Sequence, residues 1–245
     1  MIQQLIRLNY RFLFNKLTIS IVLVLNGITI FGFFAASSIS EGYFYVDMYI
    51  ADCYHFYLNE SILLIKVVTV LLAIILTTTL NTASANNLNK YIVDRQIKKY
   101  NVFISKLITI CLVMLLLMLL FFSQFIILAK LLTPYTLNIE VVLQLAWKQY
   151  LQIIFYISLT NFLLCIFPSI LLSITPIILF WYMEINFDIA MINGHNLLKK
   201  LYEYIPNLIL LNNNYGLVVD YSKYTILLII IILGNCLYFV KKDII

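Results

Sequence analysis

Charge is what this sequence has least of. Only 11% of its 245 residues are Asp, Glu, Lys or Arg, against roughly 25% in an average soluble domain. A chain this long could bury a large core, but it would still need a polar shell that these residues cannot supply. Glycine is scarce too, at six residues. A phosphate-cradling loop needs G-x-x-x-x-G-K-[ST], so that backbone amides and the lysine meet phosphate oxygens. Gly27 and Gly32 have the spacing, yet Phe33 and Phe34 follow them, so no nucleotide site is expected. Cysteine excludes a disulfide framework, because Cys111, Cys165 and Cys236 lie in apolar runs and only Cys53 in a polar one. Those three read as small buried hydrophobes.

What the chain does have is apolar length. Hydrophobic residues make up 63% of it and the mean hydropathy is +0.99. Crossing about 30 Å of hydrocarbon at 1.5 Å per residue takes about 20 mostly apolar residues in a helix. Six segments meet that test: 17–36, 62–82, 105–131, 147–167, 168–185 and 223–240. Pro168 splits the fourth from the fifth, where a tight turn or a kinked single helix would satisfy the sequence. The fold expected is an all-α integral membrane protein, one transmembrane domain over 1–245. Ahead of the first span, Ile2, Leu5, Ile6 and Leu13 share a helical face while Gln3, Arg7 and Arg11 line another. Residues 1–16 therefore read as an amphipathic helix lying in the membrane interface. Between the last two spans, Leu197, Leu198, Leu201, Tyr202 and Ile205 follow helical spacing before Pro206 interrupts. Two short helices over 187–211, dipping part-way into the outer leaflet, are expected there.

Lysine and arginine set the orientation. With six spans, both ends share a side with the 83–104 loop, and that side holds Arg7, Arg11, Lys16, Lys90, Arg95, Lys98, Lys99, Lys106, Lys241 and Lys242. Nine of the eleven acidic residues fall on the opposite side or its borders. Positive charge stays in the cytoplasm, so both termini and that loop are expected inside, in a plasma membrane of Gram-positive type. The positive balance reports topology and gives no reason to expect a nucleic-acid partner.

Chemistry-bearing groups are few. DCYHFYLNE gathers Asp52, Cys53, His55 and Glu60, with His195 the only other histidine. Zinc would want three or four ligands on a rigid frame, and a Cys–His nucleophile would need an orienting group and an oxyanion site. Neither is recognisable, so an ordinary polar loop is expected, with no metal and no catalytic residue. Lys66, near the outer end of the second span, is almost the only ionisable residue expected within the spans. It either snorkels outward or stands at the outer mouth of a pathway, with Glu60 and Tyr202 as neighbours. The alternatives to transport are a membrane-bound immunity or sensor protein that binds peptides, and an intramembrane enzyme.

The loop after the second span is the largest cytoplasmic feature. In NKYIVDRQIKKYNVFISK, five of the chain's sixteen basic residues are crowded together. Asn89 to Lys99 can form a short helix in which Asp94 pairs with Lys90 and Lys98. Tyr91, Ile92 and Ile97 give that helix an apolar surface that a merely topogenic loop would not need. This arrangement, with an interfacial N-terminal helix, six spans and broken helices before the last, resembles the permease subunits of ABC-2 type ABC transporters. YIVDRQIKKYNVFISKLI is similar to the basic run that leads into the family's third span, although ASANNLNK stands where the family has an acid and a Gly-Thr pair. The nearest likeness is to exporters of phenol-soluble modulins and antimicrobial peptides. The resemblance implies a coupling helix seated in a cytoplasmic ATPase, through Lys90, Tyr91, Ile92, Asp94, Arg95, Ile97, Lys98 and Lys99, with Arg7 and Arg11 bracing the same partner. It also implies a second permease copy or homologue, peptide cargo, and ATP with Mg held by the partner. This chain itself is expected to carry no cofactor.

Overall fold

A computed structural model describes the backbone of residues 2–44, 50–95, 97–133, 137–167, 169–185 and 221–241. It describes the side chains of 2–39, 57–81, 97–133, 137–167, 169–182 and 224–241. Every regular element among the described residues is a helix: α1 (Ile2–Leu13), α2 (Lys16–Phe44), α3 (Ile50–Arg95), α4 (Lys99–Leu132), α5 (Ile139–Ile166), α6 (Ile170–Ile185) and α7 (Tyr221–Lys241). Five of them (α2, α3, α4, α5 and α7) contain stretches long and apolar enough to cross a membrane. Their outward faces carry exposed apolar side chains: Phe31 and Leu131 are each 75% exposed and Leu237 64%. Water would penalise such a surface and lipid would not, so this is an all-α, multi-pass membrane protein.

Side chains fix the joints between helices. Asn15 closes the α1–α2 corner: its Oδ1 accepts from the Thr18 amide at 2.8 Å and its Nδ2 donates to the Phe12 carbonyl at 3.0 Å. This is a side-chain cap on otherwise orphaned backbone groups. Asn138 does the same for α5, accepting from the Glu140 amide at 3.1 Å and the Val141 amide at 3.4 Å. At the other end of α5, the Phe167 amide donates to the Leu163 carbonyl at 2.9 Å, and Phe167 itself is extended. Pro168 comes next, and α6 turns back with the Ser173 hydroxyl donating to the Leu163 carbonyl at 3.2 Å. The chain therefore breaks at Pro168 instead of running through it as one kinked helix.

Two apolar clusters hold the bundle, and both include α3 and α5. Phe33, Tyr57, Leu72, Leu76, Met114, Phe121, Phe125 and Ile153 belong to the larger, which joins α1 to α5. The smaller packs Val70, Tyr156, Ile177 and Tyr224, and so ties α6 and α7 to the same two helices. Gly32 lets α2 close on α3, because a Cβ there would run into the Leu64 side chain. Small residues at helix contacts are the usual means of close approach in lipid.

Several sequence expectations need correction. The second span does not begin at 62 after a polar loop, because α3 starts at Ile50 and DCYHFYLNE is helical. Nor does α3 end at 82. It runs on to Arg95, so residues 89–95 prolong a spanning helix and do not form a separate short one. The physical reason is common to both: residues 50–95 contain neither glycine nor proline, and a helix without a breaker continues past the point where its hydropathy falls. The expected fourth span opens earlier, at Ile139, because Asn138 caps it. The expected fifth span falls on α6, described over Ile170–Ile185 with Pro176 inside it. The expected external helices over 187–211 lie outside the described residues.

Candidate functional site

The expected ATPase-facing residues occupy the end of the molecule where α3 stops and α4 begins. Lys90, Tyr91, Ile92, Asp94 and Arg95 lie on the last turns of α3, beyond the described side chains. The helix breaks before Lys98, whose backbone is extended and whose carbonyl accepts from the Asn101 amide at 3.0 Å. Lys98 is exposed, with its Nζ 5.9 Å from the Tyr100 ring centroid, and Lys99 is half-buried. Ile97 is not an exposed docking residue. It is buried in a small cluster with Leu5 and Val102, against which Leu8 packs.

That cluster seats α1. Leu5, Asn9 and Leu13 form one buried line at i, i+4 spacing, while Arg7 and Arg11 are exposed on the opposite face. Asn9 Nδ2 donates to the Ser105 hydroxyl at 3.3 Å, and Ser105 in turn donates to the Val102 carbonyl at 2.8 Å. The amphipathic helix expected from the sequence is thus fastened to the first two turns of α4. Arg7, Arg11 and Lys98 remain exposed on the elements that meet there.

Next to Ser105 on α4 lies a buried polar group that sequence reasoning missed. Lys106 is only 8% exposed. Its Nζ donates to Asn81 Oδ1 at 3.3 Å and lies 6.0 Å from the Phe239 ring centroid. Asn81 is itself held: its Nδ2 donates to Asn161 Oδ1 at 2.7 Å and to the Thr77 carbonyl at 2.9 Å. A turn away, buried Asn235 of α7 donates to the Ser158 carbonyl of α5 at 2.7 Å. These bonds join α3, α4, α5 and α7 at one level. Polar side chains in a low-dielectric bundle hold their partners firmly because no water competes for them. The signal available in the sequence was the isolated polar residue inside an apolar run, such as Lys106 in FISKLITI or Asn161 in LTNFLL.

The expected outer-mouth residues are less gathered. Glu60 is exposed and Lys66 half-buried on α3, and Tyr202 lies outside the described residues. Among the described residues, no group of three or more His, Cys, Asp or Glu could hold a metal. Gln149 on α5 is buried, and neither of its amide atoms has a partner among the described residues. No family model, no curated protein and no solved structure matches this chain.

Proposed function

We propose that this chain is the permease subunit of an ATP-driven exporter of the ABC-2 type, moving amphipathic or hydrophobic peptides across the plasma membrane. The observation that carries the reading is the α3–α4 tip with α1 fastened beside it. In the sequence the apolar run of α3 gives way to polar residues near 82, and the helix continues to Arg95, about 20 Å further at 1.5 Å per residue. A purely topogenic loop needs no such projection and no brace. A projecting helix end with exposed cations beside it suits a docking surface for a cytoplasmic, ATP-hydrolysing partner. Its orientation follows from the concentration of lysine and arginine on this side. In this reading the chain supplies the path and its partner supplies the energy, with a second permease completing the transporter.

Ile97 is occupied by Leu5 and Val102, so the apolar contact with the partner falls to Tyr91 and Ile92. Replacing both with alanine removes two anchors, at roughly 25 cal/mol per Å² of lost apolar burial. That amounts to about 2–4 kcal/mol, or a hundredfold or more in affinity. Removing the charges of Lys98 and Arg95 should instead slow association and flatten its salt dependence. The test is co-purification with a cytoplasmic ATPase from the same cells, together with peptide export, on both double variants. Retention of the partner and normal export by the Tyr91→Ala/Ile92→Ala variant would refute the docking role.

A further inference from the structure

We propose that Lys106, held by the Asn81–Asn161 pair, binds a phosphate oxyanion, carried by an anionic phospholipid of the leaflet in which α1 lies. The starting point is a nearly buried cation for which the described residues supply no carboxylate within ion-pair reach. An ammonium has three donors, and Lys106 uses one on the neutral Asn81 oxygen. The Phe239 ring centroid lies 6.0 Å from its Nζ, and Cys165 is near it. A nearly buried cation without a counter-ion is strongly disfavoured, and an oxyanion at the ammonium removes that penalty. Asn81 cannot rotate away to relieve it, because its amide nitrogen is committed to Asn161 and Thr77. The site is pre-organised and selects against cations by its own charge.

Depth points to a lipid as the source. The residue next to Lys106, Ser105, is bonded to Asn9 of α1. Lys106 therefore sits level with an amphipathic helix whose Arg7 and Arg11 face outward. Such helices lie at the boundary between headgroups and acyl chains, where lipid phosphates are found. The covering element is α7, whose Phe239 stands over Lys106 and packs against Phe103 of α4, while Leu233 and Leu237 are exposed apolar residues elsewhere on the same helix. Swinging the Phe239 side chain aside would open Lys106 between α4 and α7, and an acyl chain could then lie along α7.

The experiment measures phosphatidylglycerol retained per chain after detergent washing, and the shift in unfolding temperature in nanodiscs. The discs contain phosphatidylcholine alone, phosphatidylcholine with phosphatidylglycerol, or phosphatidylcholine with inorganic phosphate in the buffer. Phosphatidylglycerol should be retained by, and stabilise, the native chain and Lys106→Arg. Lys106→Met and Lys106→Gln should retain it about tenfold less, as expected for losing one charge-assisted contact. Equal retention by the neutral variants overturns the proposal, because the lipid is then held elsewhere. An equal effect from inorganic phosphate overturns the lipid source. Asp243 lies four residues beyond Phe239 in the sequence. A native chain that ignores phosphatidylglycerol, while Asp243→Asn responds to it, shows an internal counter-ion and also overturns the proposal.

Discussion

Asn81 Oδ1 accepts from Lys106 while the same amide's nitrogen donates to Asn161 and to the Thr77 carbonyl. Removing the two ends of this chain of bonds should have unequal consequences. Asn81→Leu leaves a buried cation without its acceptor, which should lower stability by roughly 2–4 kcal/mol. Lys106→Met removes the charge together with its demand, and the methionine stem keeps most of the packing. It should cost less than the Asn81 change, and the double variant should lie closer to Lys106→Met than to Asn81→Leu. Denaturant unfolding in detergent checks the order. If Asn81→Leu is the milder single change, the Asn81 oxygen is not what holds the Lys106 ammonium in place.

The helices themselves carry the next level of the argument, and α3 is the decisive one. With no glycine or proline over 50–95, its extension past Asn81 should behave as a stiff continuation of the span. Spin labels at positions 79 and 93 should then give a narrow distance distribution about 21 Å apart. Ala85→Pro should broaden or split that distribution, since an interior proline removes a ladder bond and is disfavoured by about 3 kcal/mol. An unchanged distribution would mean that the extension is already hinged. This element also marks what could and could not be read in the sequence. Hydropathy located the five helices apolar enough to span, because lipid selects for the property it measures, but it underestimated α3, because helicity outlasts apolarity. The α1 face was legible from the spacing of Leu5 and Leu13. The Lys106 site was not legible, since its bonds join residues separated by 25 and 80 positions. Only packing brings those residues together.

Taken as one molecule, the protein is a bundle whose interior is built on α3 and α5, with α2 and α7 mostly exposed to the surroundings. Its orientation can be tested on two side chains the structure leaves accessible, Lys98 at the α3–α4 tip and Glu140 at the start of α5. Cysteines there should be reached by an impermeant reagent from opposite faces: position 140 in intact cells, position 98 only after the membrane is opened. Labelling of position 98 in intact cells would invert the proposed topology. The continuity of α3 has a mechanical side as well. From Ile50 to Arg95 it is a single rod of 46 residues, about 69 Å long. If it pivots near Asn81, where Asn161 and Lys106 grip it, the inner arm is about 21 Å long and the outer arm about 46 Å. A sideways push on the short arm would emerge roughly doubled, and reversed in direction, on the opposite face of the membrane. Such a pivot would make α3 a lever of the first class, with a hydrogen-bonded asparagine as its fulcrum.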